Sequence, residues 1–454
     1  MLACRLRLAA PLYETHRVRR PGFPVPGRRF PLSLARRLPP PRSAVSVVDN
    51  TPAPFIERGQ PGYRATMLAL FLGAFATFAL LYCVQPMMPI FSAAFGLNAA
   101  SGSLVLSVTT AMLALGLLIT GPLSDAFGRK GIMSVALLAA AVFMLLAACM
   151  PTWGGVLVMR ALCGLALSGL CAVGMTYLSE EVAPRFVGVS MGLYIGGSAI
   201  GGMAGRLISG VMVDWLHWRL TLAVMGAIAL LAALLFIRWL PPSRHFQPRG
   251  LNAANLLQGF TVHFRDRGLP WLFLAGFLLM GSFVTLFNYI AYRLLAAPYH
   301  FSQSAIGLLS VVYLSGIYSS AWAGALADRL GRPRVFWWFV ATMLVGLLIT
   351  LATSLWLILP GLLIFTFGFF AAHSVASSWV GRRAEHARGQ ASSLYLFFYY
   401  LGSSLAGTLG GTFWHHGGWP AVTAFIAALL AVALLAALRL QRLDELNQAP
   451  GDQI

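Results

Sequence analysis

Gly121-Pro122-Leu123-Ser124-Asp125-Ala126-Phe127-Gly128-Arg129-Lys130 returns 203 residues later as Gly324-Ala325-Leu326-Ala327-Asp328-Arg329-Leu330-Gly331-Arg332-Pro333, with five of the ten positions identical. Each copy closes one apolar run and opens the next, so a turn carrying an acid and a Gly-Arg pair is used twice. The same offset sets Gln85 opposite Asn288, and Gly196, Gly201 and Gly205 recur as Gly402, Gly407 and Gly411, 206 residues on. Repetition at this period marks two homologous halves.

Outward from the repeat, the chain is a series of apolar runs. Of its 454 residues 58% are hydrophobic and 10% charged, and the mean hydropathy is +0.77. That leaves too little polar surface to cover a water-soluble globule, so lipid is the solvent for most of the chain. A membrane helix takes roughly 20 apolar residues. Twelve such spans are expected, at 65–91, 102–121, 131–150, 154–178, 188–213, 218–240, 269–297, 303–326, 334–353, 356–380, 389–413 and 418–440. The expected fold is therefore an all-α membrane protein, with a six-helix bundle over 65–240, a linker over 241–268 and a second bundle over 269–440.

The formal charge of +19 would suggest nucleic acid in a soluble protein. Here the basic residues, all arginine except Lys130, sit mostly in alternate short gaps, and no basic patch with exposed aromatics remains for nucleic acid. One set of gaps holds Arg129, Lys130, Arg185, Arg244, Arg249, Arg265, Arg267, Arg329, Arg332, Arg334, Arg382, Arg383 and Arg388, whereas the other holds Arg219 and, at a helix end from which it can snorkel, Arg293. The basic side is expected to be cytoplasmic, with both termini there. Residues 1–64 are expected to be a disordered Arg/Pro-rich cytoplasmic tail, in part the product of an upstream start codon, and 441–454 a second cytoplasmic tail. Cys4, Cys83, Cys149, Cys163 and Cys171 have neither a disulfide framework nor metal spacing, so no metal and no cofactor is expected.

The Gly121–Lys130 stretch resembles the loop between the second and third helices of the major facilitator superfamily. Arg160-Ala161-Leu162-Cys163-Gly164 is similar to that superfamily's fourth-helix motif, and the resemblance extends over about residues 55–440. Within the superfamily, Ala79-Leu80-Leu81-Tyr82-Cys83-Val84-Gln85-Pro86, Tyr177-Leu178-Ser179-Glu180-Glu181 and Ala372-His373-Ser374-Val375-Ala376-Ser377-Ser378-Trp379 look like the YnfM-type bacterial inner-membrane transport proteins, a group near the drug and sugar efflux permeases. The resemblance implies two pseudo-symmetric bundles working by alternating access in the bacterial inner membrane, and a proton-coupling role for Arg160. The fifth-helix glycines match the family's antiporter motif only in part, since the usual Gly-Pro pair is missing.

The residues themselves suggest three groups. Gly121, Asp125, Gly128 and Arg129, with Glu180 and Glu181 as carboxylates for Arg129 and with the second copy at Asp328 and Arg332, form a candidate cytoplasmic latch. Arg160, about 10 Å inside its span, should face a cavity because an unpaired cation in lipid is expensive, although bonding to neighbouring carbonyls would also satisfy it. Gln85, Asn288, His373, Tyr399, Tyr400 and Arg206 are substrate-cavity candidates, with Asp214 as an alternative partner for Arg206. Pro86 and Pro89 mark a kink or break in the first span.

The spans carry no carboxylate near their centres, which favours neutral, polyhydroxylated or anionic substrates. The leading expectation is proton-coupled efflux of small organic molecules by a monomer. An uptake permease or uniporter for a sugar or organic anion is the alternative, and a receptor or scaffold would need a soluble domain that the sequence lacks. No phosphate loop or nucleophile elbow suggests an enzyme.

Overall fold

The computed structural model describes residues 55–248 and 258–448. The expected disorder of 1–54, the central part of the linker at 249–257 and the tail beyond 448 lie outside the described residues. The remainder of the two segments expected to be tails is ordered: α1 already begins at Pro61, and the last helix continues to Gln448. Ile56 forms a bridge to Val182, donating its amide to the Glu181 carbonyl at 2.8 Å and accepting from the Ala183 amide at 3.2 Å.

The first half comprises α1 (Pro61–Tyr82), α2 (Met88–Phe95), α3 (Ala99–Phe127), α4 (Arg129–Cys149), α5 (Trp153–Glu181), α6 (Pro184–Trp215) and α7 (Trp218–Trp239). The second comprises α8 (Leu269–Leu295), α9 (Gln303–Leu308), a 3-10 stretch (Leu309–Tyr313), α10 (Leu314–Leu330), α11 (Arg332–Ile349), α12 (Leu355–Arg383) and α13 (Arg388–Gln448). Eleven of the described helices are long and apolar enough to cross a membrane. The last contains two spans that meet at a kink at Gly417 and Gly418, both non-helical, where Gly418 takes φ +59°, a conformation open to glycine. Twelve spans result, in two sets of six.

Three helix starts are capped by short polar side chains, as Asn98, Thr152 and Ser302 accept from the amides of Ser101, Gly155 and Ala305. Both copies of the repeated turn place a glycine where the backbone demands one: Gly128 has φ +97° and Gly331 φ +87°. The two arginines of the opposite gaps do not project into water. Arg219 donates to the carbonyls of Ala148 and Met150, and Arg293 to those of Thr350 and Ala352, so each neutralises the C-terminus of its half's third span while lying over Trp218 or Trp419.

The first span is broken rather than continuous. Pro86 has no N–H to offer, the chain turns through Cys83–Met87, and Pro89 sits in the first turn of α2. The eighth span is interrupted by the 3-10 stretch, which puts Ser310 and Tyr313 on the first half: Ser310 donates to the Met203 carbonyl at 3.1 Å.

Close packing depends on glycine, but in a register other than the one read from the repeat. A Cβ on Gly201 would lie 2.3 Å from the Phe75 carbonyl oxygen, and one on Gly402 2.0 Å from that of Phe277. These equivalent contacts make Gly201 the counterpart of Gly402, an offset of 201 instead of 206. Gly196, the match for Gly402 in the repeat, faces open space.

The linker ends are fastened to the bundles. Tyr177 donates to the Pro241 carbonyl, and Asp266 accepts from the amides of Gly268 and Leu269 and from Arg383 Nε at 2.6 Å. Burial would raise the Asp266 pKa, but the Arg383 guanidinium and the two amides outweigh it and hold the carboxyl below the usual range. A depressed folded-state pKa stabilises above the unfolded value and is lost as pH falls through the folded one. Asp266→Asn should therefore lower the melting temperature in detergent at pH 7, with the gap to wild type closing below about pH 4; a gap independent of pH would mean that the ion pair contributes nothing.

Candidate functional site

Hydrogen bonds joining the two halves lie at one end. With the ends named for the linker, the described bonds between halves run from the far end down to the level of Gln85: Asp214 to Gln303 and Ser304, Ser92 to Tyr292, Ser107 to Thr408, Met203 to Ser310 and Gln85 to Asn288. Backbones also touch there, since a Cβ on Gly411 would lie 2.4 Å from the Ala100 Cα and one on Gly210 would lie 2.7 Å from the Gln303 carbonyl. The far end is sealed. Among the described residues no hydrogen bond joins the linker-end portions of the halves.

At the base of the seal, Gln85 Nε2 donates to Asn288 Oδ1 at 2.7 Å. The residues placed opposite each other by the repeat thus meet across the pseudo-twofold axis. Gln85 Oε1 also accepts from Arg206 Nε at 2.5 Å, and Arg206 Nη1 donates to the Gly202 carbonyl at 2.6 Å. The guanidinium carbon lies 4.0 Å from the Tyr82 ring centroid and 4.7 Å from that of Tyr313. Arg206 does not pair with Asp214, which is bound by the first residues of α9 two turns further out. A void of about 20 Å³ lined by Gln85, Arg206, Phe287, Ile306 and Ser310 adjoins the network.

Below it runs an aromatic wall. Tyr313 packs on Phe283, Phe283 stacks on Phe369 at 3.8 Å, and Phe369 lies parallel to His373. His373 Nδ1 is 2.9 Å from the Tyr395 hydroxyl and its ring is 4.6 Å from that of Tyr399. Tyr400 meets Tyr399 edge-on and is buried. His373 therefore belongs to the wall, not to the polar network.

Arg160 does not face a cavity. It is 0% exposed, with Nη1 donating to the Leu80 carbonyl at 3.0 Å, Nη2 to that of Leu81 at 3.1 Å and Nε to that of Val105 at 3.3 Å. The break in the first span strips the end of α1 of its usual donors, and a guanidinium, with five N–H groups and no acceptor, is suited to supply them. Arg160 thereby positions the turn that presents Gln85.

At the linker end, Arg129 holds Glu180 in a bidentate pair (3.0 and 2.7 Å), Ser124 at 2.7 Å, and Asp125. All belong to the first half. Glu181 is not among them: its buried carboxylate accepts from the amides of Arg244 and His245 at 2.7 and 2.9 Å and meets His245 Nδ1, anchoring the linker. Gly121 faces open space. In the second half the polarity is reversed, for Asp328 meets Arg332 at 2.8 Å and Arg382 at 3.1 Å. Where α5 ends in two glutamates, α12 ends in two arginines.

Of the two tyrosines in the network, Tyr82 stood only within the stretch that carries the family resemblance, and Tyr313 had no signal among 13 tyrosines and 30 phenylalanines. Nor did Ser107 and Thr408, whose hydroxyls lie 2.8 Å apart across the seal.

A sequence model described as Major Facilitator Superfamily matches residues 70–294 and 272–453. This chain belongs to the major facilitator superfamily. The Inner membrane transport protein YnfM of Escherichia coli (strain K12) is 60% identical over 393 residues, 87% of this chain and 94% of that protein. An uncharacterized MFS-type transporter, YybF, of Bacillus subtilis (strain 168) is 46% identical over 84% of this chain and 94% of its own. Among solved structures, a bacterial homologue of the human lysosomal transporter Spinster, described as inward-facing and unoccupied, superposes with a TM-score of 0.66 at 15% identity, covering 84% of this chain and 95% of that one. Members of the superfamily carry small molecules across membranes, and this chain is a multi-pass membrane transporter of that kind.

Proposed function

We propose that the chain exports small organic molecules across the bacterial inner membrane in exchange for protons, as a monomer working by alternating access. The observation that carries this reading is the one-sided seal, closed at the far end and, among the described residues, without bonds between halves at the linker end. The arginine-rich gaps argue that the linker end and both termini are cytoplasmic, which makes this the cytoplasm-open state. The reverse state would break the bonds at Gln85–Asn288 and Ser107–Thr408 and bring the exposed side of the Asp125–Arg129–Glu180 cluster against the second half, where it would act as the latch.

A second reading, an uptake permease or uniporter, is favoured by the lack of any carboxylate near the middle of a span among the described residues. Proteoliposomes that report internal pH, supplied with a panel of sugars, organic acids and amphipathic drugs, separate the two: exchange moves protons with substrate, whereas a uniporter moves labelled substrate alone.

The seal supplies the direct test. In Ser107→Cys/Thr408→Cys, oxidation should cross-link the halves and arrest flux, and a reductant should restore it. Undiminished flux through the cross-linked protein would exclude the rocking motion.

A further inference from the structure

The central network contains a chain of forced hydrogen-bond choices. A guanidinium can only donate, so the atom of Gln85 facing Arg206 must be the oxygen. That leaves Gln85 its amide nitrogen for Asn288, which must answer with its own oxygen. The sequence of bonds ends in a surplus, since Asn288 Nδ2 and Arg206 Nη2 are both buried with no acceptor. Asn288 is 0% exposed and Arg206 4%.

The other buried arginine provides the contrast. Arg160 spreads its nitrogens over three carbonyls, whereas Arg206 keeps one nitrogen unused and lies between two tyrosine faces. No carboxylate approaches Arg206 among the described residues: Asp214 is bound to Gln303 and Ser304, and Asp125, Asp328, Glu180 and Glu181 lie at the linker end. A buried, half-bonded cation inside a membrane protein is costly to maintain. The neighbouring void, about 20 Å³, has room for an oxygen atom or a water but not for an organic molecule.

Resting on the transport reading, we infer that the substrate is an organic anion whose carboxylate is bound by Arg206 Nη2. The carboxylate oxygen enters the space beside Gln85 and Arg206, between Phe287, Ile306 and Ser310. Because Gln85 and Asn288 belong to opposite halves, an anion drawing on Arg206 competes with its bond to Gln85 and so with the bond that holds the seal. Substrate charge and opening are thereby coupled at one place.

The test measures binding, independently of flux. Purified protein in detergent at about pH 7.5, where these acids are ionised, is melted with benzoate, cinnamate or hexanoate, each against its uncharged amide. At least one acid should raise the melting temperature saturably, and its amide should need a concentration about tenfold or more higher, as expected when a charge-assisted bond is lost. Arg206→Gln should abolish the protection and Arg206→Lys should retain part of it. Should Arg206→Gln not fold, the acid–amide comparison in the wild type decides. Protection by no acid, equal protection by acid and amide, or unchanged protection in Arg206→Gln would each overturn the anion site. Acid binding without movement of the labelled acid into proteoliposomes would instead overturn transport and leave the anion site intact; flux of neutral compounds with no acid binding would do the reverse.

Discussion

Arg160→Met should lose about 3 kcal/mol or more of stability, seen as a lower melting temperature and a poor yield of monodisperse protein. Methionine fills much of the arginine's volume but has no donor, so the carbonyls of Leu80 and Leu81 would be buried without the donors that hold them, each at about 1 to 3 kcal/mol, whereas that of Val105 keeps the Thr109 hydroxyl at 2.9 Å. The loss falls on the turn at Cys83–Met87, so Gln85 should drift from Arg206 and Asn288, and transport by the surviving protein should fall with it. Arg160→Lys, with three donors on one nitrogen, should be intermediate. The comparison separates a structural from a chemical role. If Arg160→Met melts like the wild type while proton movement alone disappears, the arginine acts on the proton and does not hold the turn.

Gly402→Val should be worse tolerated than any change at Gly196. The position that a Cβ would take on Gly402 is 2.0 Å from the Phe277 carbonyl oxygen, and a backbone atom cannot rotate away as a side chain can. The helices α8 and α13 would have to part, an overpacking cost of about 3 kcal/mol or more in a pair packed along much of its length. Gly196→Ala meets nothing within 4 Å and should leave both yield and flux unchanged. Equal behaviour of the two variants in size-exclusion profiles and melting would remove glycine packing as a determinant of the bundle.

The contrast between these glycines shows how far a sequence can be read. Apolar runs of the right length, separated by arginine-bearing gaps, marked the twelve spans because lipid imposes one rule on every span. The repeat placed Gln85 opposite Asn288 because the offset between α1 and α8 stays within a residue of that of the repeated turn. It misplaced the glycines because chance glycines elsewhere on α6 and α13 produced a better-looking alignment than the true contact at 201. The partners of charged groups were least legible. Arg160 found carbonyls freed by a helix break, Asp214 capped a helix of the other half, and Glu181 turned to the linker while its neighbour Glu180 took Arg129. Each outcome depends on which backbone groups are left unpaired in three dimensions, and no spacing along the chain records that.

The 3-10 stretch Leu309–Tyr313 gives the eighth span a mechanical property of its own. A 3-10 helix advances about 120° and 2.0 Å per residue, an α-helix about 100° and 1.5 Å. Conversion of these five residues to α geometry would unwind the span by about 100° and shorten it by about 2.5 Å. Tyr313, at the end of the stretch, would swing from the face of Arg206, and Ser310 would leave the Met203 carbonyl. The span is thus a short screw whose pitch sets whether the arginine is covered, and a change of hydrogen-bond register by one residue is enough to turn it.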